Sequence, residues 1–114
     1  MLREKNLLIL LLALTGLLAG SFASAAESAE KLIDAARCDA CHQMSATSLG
    51  PPWQAIAARH AANKPLMLDV LARKIVRGGG GNWGDVPMVP NQLVTIEQAR
   101  VMAGWILDLQ AKKQ

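Results

Sequence analysis

Apolar residues recur at helical rather than strand spacing along most of the chain. Leu32, Ile33, Ala36 and Ala40 are separated by one, three and four positions, which places them on one face of a helix. Ser28 stands in front of them and is a residue type that caps helix N-termini. We therefore predict a first helix that begins after Ser28, continues through Ala40 and leads directly into a pair of cysteines.

Two further helices are expected in the middle of the chain. A short alanine-rich helix is predicted from Trp53 to Ala62, behind Pro51-Pro52. Pro65 can open the next helix, and Gly78 can end it. The predicted inward positions of that helix are Leu66, Met67, Val70, Leu71 and Ile75.

The C-terminal third combines an irregular loop with a last helix. Residues 78–94 contain a run of glycines followed by Pro87 and Pro90, a composition that excludes a regular helix. Thr95 and Gln98 form a capping-box pattern for a final helix. Its predicted apolar stripe is Ala99, Met102, Ala103, Ile106 and Leu109. The patterns together predict an all-α fold of about four short helices around one core.

The N-terminus has the pattern of an export signal. Arg3 and Lys5 precede an apolar stretch over residues 7–18, and Ala23-Ser24-Ala25 supplies small residues for cleavage. An uncleaved anchor is the alternative, but the apolar stretch is short for a membrane span of about 20 residues. We expect a cleaved signal peptide at residues 1–25, a mature domain at residues 26–114, a periplasmic location and no stable membrane insertion after cleavage.

Composition limits both the size of the core and the range of functions. A chain of 114 residues is too short for a doubly wound nucleotide-binding fold or a barrel enzyme. Aromatic residues are 4% of the chain, and behind the leader they are Trp53, Trp83 and Trp105 alone, so the core lacks bulky side chains. The formal charge is +3 without a dense basic run, which argues against nucleic-acid binding.

The only two cysteines lie in Cys38-Asp39-Ala40-Cys41-His42, the C-x-x-C-H pattern of covalent haem c attachment. Two thiols at this spacing can bond both vinyl groups of one porphyrin, and the adjacent histidine can ligate the iron. A thiol redox pair, a structural disulfide and a zinc site are the alternatives. Zinc would need a fourth ligand, and the other histidine, His60, is far along the chain. We therefore predict one haem c, bound covalently through Cys38 and Cys41, with His42 as an iron ligand.

The second axial ligand is sought among the methionines and His60. Met44 is too close to His42 for the chain to pass around the ring. Met67 and Met102 fall on apolar helix stripes, where core packing is the commoner role. Met88 lies between two prolines in an extended, non-helical segment that can present its side chain to a ring. Met88 is therefore the predicted ligand, with His60 as the rival for bis-histidine ligation.

At this point the chain resembles the small bacterial class I cytochromes c, over nearly all of its mature length. The resemblance rests on the haem motif Cys38-Asp39-Ala40-Cys41-His42, on Gly50-Pro51 and on the Met-loop residues Trp83-Gly84, Pro87-Met88 and Asn91. It implies the compact cytochrome c fold wrapped around a single haem. The run of glycines at residues 78–81 is denser than that family needs.

The resemblance also implies roles for four other residues. The Pro51 carbonyl would accept the proximal imidazole N–H and orient the ring. Trp83 would donate to a haem propionate, Lys74 would stand where the family has a basic propionate partner, and Asn91 would hydrogen-bond near the Met sulfur. The structural alternatives are a core position for Trp83, a solvated helix position for Lys74 and a turn-forming role for Asn91.

The expected function is a soluble periplasmic electron carrier with His42 and Met88 as iron ligands, and no enzyme activity of its own. Its expected partners are redox proteins, with a membrane cytochrome complex as donor and an oxidase or reductase as acceptor. Docking is expected at a small apolar rim formed by Pro87, Val89 and Pro90. The alternatives are a haem enzyme or gas sensor with a dissociable Met ligand, and a haem subunit of a larger respiratory complex.

Overall fold

A computed structural model describes residues 27–109. It contains four α-helices: α1 (Ala29–Ala35), α2 (Trp53–His60), α3 (Lys64–Arg77) and α4 (Ile96–Asp108). Short 3₁₀ turns occur at Cys38–Ala40 and Ala61–Asn63. This confirms the all-α prediction, while the predicted signal peptide at residues 1–25 lies outside the described residues.

Helix α1 begins where the sequence predicts but ends earlier. The Ser28 side chain accepts a hydrogen bond from the Lys31 backbone N–H, and the helix stops at Ala35. Arg37 then takes a left-handed conformation with φ of 59°. The predicted continuation through Ala40 is therefore wrong, because the left-handed residue turns the chain out of the helix before the cysteines.

Helices α2 and α3 follow the sequence prediction with two differences. Regular α-helix ends at His60 rather than Ala62, and a 3₁₀ turn joins it to α3. Helix α3 carries proline in its first turn and ends at Gly78, as predicted. Leu66 was expected to face inward but is 60% exposed, whereas Ile75 is buried. Leu66 lies in the first turn of the helix, so the covered part of this face does not extend to that end.

Helix α4 forms the centre of the molecule and packs against α1, α2 and α3. Its Thr95–Gln98 capping box is complete, since the Gln98 N–H donates to Thr95 Oγ1 and the Thr95 N–H donates to Gln98 Oε1. The predicted stripe on its inner face is buried: Ala99, Met102, Ala103, Ile106 and Leu109.

Among the described residues, the buried core combines aliphatic side chains and Trp53 with several small ones. Five of its members are alanines: Ala36, Ala57, Ala72, Ala99 and Ala103. At the surface, the ion pairs Lys64–Asp108 and Arg100–Asp69 connect α3 to α4, the second with an N–O distance of 2.8 Å. Exposed pairs of this kind contribute little to stability, so the helices depend on what fills the space between them.

Residues 78–94 form the irregular segment that the sequence predicts, with one ordered pairing inside it. Gly79 and Met88 exchange two backbone hydrogen bonds of 2.9 and 2.8 Å as an isolated antiparallel bridge. Of the helices described in residues 27–109, none has the length and apolar character needed to cross a membrane.

Candidate functional site

A cavity of about 510 Å³ opens between the cysteine turn, helices α2 and α3, and the 78–91 loop. Its wall includes Cys38, Cys41, His42 and Met88, four of the residues that the sequence predicts as a site. It also reaches the core, because the buried side chain of Met102 lines it. Residues far apart in the sequence therefore meet around one space.

The cysteine turn presents both thiols on the same side. The His42 and Cys41 backbone N–H groups both donate to the Cys38 carbonyl, at 2.9 and 3.1 Å. Both cysteines are half-buried and unbonded to each other. Burial raises the pKa of the Cys38 thiol, and the carboxylate of Asp39 raises it further.

His42 is fixed in position by its neighbours. Its Nδ1 lies 2.7 Å from the Pro51 carbonyl oxygen, and because a carbonyl only accepts, Nδ1 must carry the proton. The ring is buried, with 7% of the residue exposed. Nε2 is therefore the unprotonated nitrogen, the form in which imidazole binds a metal. The predicted hydrogen bond from the His42 imidazole to the Pro51 carbonyl is therefore present in the structure.

Gly50 gives the histidine ring its space. A Cβ at this position would lie 2.7 Å from His42 Cε1 and 2.9 Å from Nδ1, closer than real side chains approach. The Gly50 N–H donates to the Cys41 carbonyl at 2.8 Å, which closes the loop between the two segments. The Gly50-Pro51 pair therefore positions the histidine both by contact and by hydrogen bonding.

Aromatic packing supports the same ring from behind. His42 and Trp53 stack with ring centroids 4.5 Å apart and an interplanar angle of 24°. Trp105 meets Trp53 edge-on at 6.4 Å. Trp53 thus packs directly against His42, and Trp105 supports Trp53.

Met88 lines the cavity from the loop, and its backbone position depends on glycine. It is paired to Gly79 by the two hydrogen bonds of the bridge. Gly78 has φ of 69°, and a Cβ there would lie 2.3 Å from the Met88 carbonyl oxygen. A glycine at the end of α3 is therefore required for the loop to pass this close.

The rival ligands lie around the same cavity. Met67 and Met102 both line it from helix faces, and Met102 is 1% exposed. His60 also lines it, and burial followed by the neighbouring Arg59 charge lowers the pKa of its imidazole. Met44, which the sequence excludes, is 44% exposed and is not part of the cavity wall.

The other predicted residues line the cavity mouth. Trp83 is 44% exposed, so it does not occupy a core position. The Lys74 side chain runs alongside Gly79, where its Nζ would lie 2.6 Å from an added Cβ. The Asn91 Nδ2 donates to the Ala36 carbonyl at 3.1 Å, and its Oδ1 accepts from the Leu93 N–H at 2.9 Å. The contact of Asn91 with the Met sulfur stays a prediction, for which the second amide hydrogen is available.

Arg59 is a site residue that the sequence does not indicate. Its guanidinium carbon lies 4.8 Å from the centroid of the Trp83 ring. One guanidinium nitrogen donates to the Asn82 carbonyl at 2.8 Å. An arginine beside His60 in a short helix gives no sequence signal of this contact, because its partners lie more than twenty positions further along.

The residues of the cavity fit a covalently attached haem. Two thiols are available for attachment, the Nε2 atom of His42 is not used in its hydrogen bond to Pro51, and the thioether of Met88 lines the same cavity. The cavity of about 510 Å³ has a mostly apolar lining and offers room for a large apolar group. Among the described residues, no group of three or more histidine, cysteine and carboxylate side chains is arranged to hold a metal ion between them.

Comparison with known proteins gives one consistent result. The chain is 41% identical to cytochrome c-552 of Hydrogenobacter thermophilus over 100 residues, covering 88% of this chain and 95% of the relative. It is 40% identical to cytochrome c-551 of Stutzerimonas stutzeri over 105 residues, covering 92% of this chain and 98% of the relative. No model of a protein family matches the chain.

The same group is found among solved structures. The crystal structure of wild-type Nitrosomonas europaea cytochrome c552 superposes with a TM-score of 0.66 at 40% sequence identity. The superposition covers 70% of this chain and 98% of that chain. The arrangement of four helices around the cavity is thus shared with a cytochrome of known structure.

Proposed function

The chain belongs to the c-551/c-552 group of small class I cytochromes c, and from this we propose which of its residues carry out electron transfer. As a member of that group it is an electron carrier with covalently bound haem c. Haem c supplies a one-electron couple between ferrous and ferric iron. The chain's own residues must attach the group, ligate its iron and limit the access of other ligands.

Attachment is assigned to Cys38 and Cys41, as thioethers to a single haem. The support is their exposure to the cavity from one 3₁₀ turn and the position of His42 immediately after them. His42 is then the proximal ligand through Nε2. Its hydrogen bond to Pro51 holds the ring in one tautomer and makes the ligating nitrogen more basic.

Met88 is assigned as the distal ligand. The observation that carries this assignment is its place on the cavity wall, on an extended segment that is paired to Gly79 rather than packed within a helix. Met102 is committed to the core at 1% exposure. If His42 and Met88 both hold the iron, it would have no open site for an external ligand, so we propose that the protein catalyses no reaction by itself.

Trp83, Lys74 and Asn91 are proposed to contact the edge of the bound group. The indole N–H of Trp83 and the ammonium of Lys74 are donors at the cavity mouth and suit propionate carboxylates. The Asn91 amide, which is anchored to Ala36, would direct its remaining hydrogen towards the Met88 sulfur.

The proposed location is the periplasm, supported by the export signal at residues 1–25. We propose a membrane cytochrome complex as electron donor and an oxidase or reductase as acceptor. Docking would use the apolar side chains around the loop, among which Val86 and Val89 are 60% and 73% exposed. Small apolar contacts of this kind suit the brief encounters of redox partners.

Replacement of Met88 by Ala tests the ligation. The iron should become five-coordinate or bind water, and its reduction potential should fall because a thioether favours ferrous iron. The reduced native protein should bind carbon monoxide slowly or not at all, whereas Met88→Ala should bind it rapidly.

Met67→Ala and Met102→Ala are the matched controls. Both should keep the native spectrum and exclude carbon monoxide, and Met102→Ala should lose about 2 to 5 kcal/mol of stability through its cavity. A native spectrum and exclusion of carbon monoxide in Met88→Ala would show that the assignment is wrong, and His60 would become the candidate ligand.

A further inference from the structure

The charged side chain of Arg59, on helix α2, contacts the glycine-rich loop at Asn82 and Trp83. Its guanidinium lies over the Trp83 ring at 4.8 Å and donates to the Asn82 carbonyl at 2.8 Å. A planar guanidinium can do both at once, because it presents its face to a ring and its N–H groups in the plane. Two consecutive loop residues are therefore held by one side chain.

The loop needs such a contact because its own backbone restrains it weakly. Gly79, Gly81 and Gly84 all have positive φ, and a Cβ at Gly81 or Gly84 would meet nothing within 4 Å. The segment between the Gly79–Met88 bridge residues is largely exposed. Glycine in an open segment carries a large conformational entropy, which favours departure of the loop from the cavity.

We propose that Arg59 is a positioning residue that keeps the loop closed over the haem cavity and so keeps Met88 on the iron. The proposal rests on the Met88 ligation proposed above. Arg59 acts through Asn82 and Trp83, which precede Met88 on the same loop, and it makes no bond to the iron. Without the Arg59 contact, the loop would open more often and the distal position would be exposed to external ligands.

The experiment measures the rate at which added imidazole displaces the native distal ligand in the oxidised, haem-loaded protein. Arg59→Gln should raise this rate about tenfold, the factor that corresponds to about 1.4 kcal/mol. The measurement is made at alkaline pH, where His60 is neutral in every variant, because loss of the Arg59 charge also changes the titration of His60.

Two controls separate this role from a general effect. Arg73→Gln removes the same charge from an exposed position of α3 outside the cavity wall, and its rate should equal the native rate. Ile33→Val weakens the core at a buried residue of α1 that does not line the cavity, and it should lower the denaturation midpoint while leaving the rate unchanged. An equal rate in Arg59→Gln and Arg73→Gln, or an equal increase in Ile33→Val, would overturn the proposal.

A double-mutant cycle with Trp83→Leu tests the contact itself. If Arg59 acts through the Trp83 ring, Arg59→Gln should add much less to the rate in the Trp83→Leu background than in the native protein. A full, independent effect in that background would overturn the assigned route. The Met88→Ala experiment decides the ligation by itself, so a failure of the Arg59 proposal is distinguishable from a failure of the proposed function.

Discussion

The two walls of the haem cavity are built in different ways. On the proximal side, residues 38–54 hold each other by closely spaced backbone hydrogen bonds, including Trp53 N–H to Gln43 at 2.8 Å and Gly50 N–H to Cys41 at 2.8 Å. On the distal side, the 78–91 loop has the Gly79–Met88 bridge and one backbone hydrogen bond to α3, from the Asn91 N–H to the Ile75 carbonyl at 3.2 Å. It is further tied by side chains that include Arg59 and Asn91. His42, the proposed proximal ligand, is thus held by local chain geometry, whereas the loop of Met88, the proposed distal ligand, depends more on contacts from other helices.

This difference suits the roles of the two ligands. His42 must keep one orientation and one tautomer, and a buried ring hydrogen-bonded at 2.7 Å does so. Met88 lies on the glycine-rich 78–91 loop, and we propose that a small number of contacts keeps this loop closed over the cavity. We therefore expect substitutions on the proximal side to affect haem retention and folding, and those on the distal side to affect ligand exchange first.

The largest effect is expected from the proximal side. In Cys38→Ala/Cys41→Ala, haem should be weakly held or absent, and the helical circular dichroism should fall strongly because the alanine-rich core then lacks its filling group. The single variants should lie between the double variant and the native protein. A stable, fully helical protein that forms from the double variant without haem would contradict the proposed attachment and the proposed role of haem in the core.

A glycine substitution should produce a smaller effect on the distal side. Gly78→Ala forces a Cβ to within 2.3 Å of the Met88 carbonyl, at a residue whose φ of 69° and ψ of −162° suit glycine alone. It should cost about 1 to 3 kcal/mol in chemical denaturation and raise the rate of imidazole binding. Gly84→Ala is the matched control, because it has φ of 111° but open space around it. Equal rates of imidazole binding in the two variants would show that the contact with Met88 is unimportant.

The smallest effect concerns pH. Burial and Arg59 lower the pKa of His60 in the folded protein below its ordinary value of 6.5, so the unfolded chain binds more protons as the pH falls. Stability should therefore decrease between 6.5 and the lower folded pKa, and should level off below it. His60→Gln should remove this part of the pH dependence. The denaturation midpoint is measured against pH for both proteins. The same pH dependence in the native protein and in His60→Gln would contradict the lowered pKa of His60.

The proximal half of the site could be read from the sequence because its parts are close together in the chain. Cys38, Cys41 and His42 lie within five positions, and Pro51 follows shortly after, so the spacing itself restricts the geometry. For the distal half, the sequence predicted Met88 and an irregular loop around it, but not the contacts that hold this loop in place. The partners of that loop, Arg59 from α2 and Ala36 from the end of α1, come from helices whose sequence pattern reports on their buried faces alone.

The errors in the helix predictions have the same origin. Apolar periodicity predicts a first helix that continues through Ala40, but the left-handed conformation of Arg37 ends the helix before the cysteines. Cys38 and Cys41 then line the cavity. Leu66 matches the periodic pattern of α3, yet it is exposed. A periodic pattern identifies a face of a helix, but it does not say how far along the helix a neighbour covers that face.

The sequence by itself determined the helical fold class, the thiol pair with its adjacent histidine, the capping box at Thr95 and the methionine on a proline-flanked loop. These depend on local spacing and on the backbone preferences of proline, glycine and capping residues, which act within a few positions. Only the tertiary structure decided that Arg59 meets Trp83, that Asn91 reaches Ala36 and that Gly78 must pass the Met88 carbonyl. Those contacts join distant segments, and their existence depends on how the helices pack around the cavity.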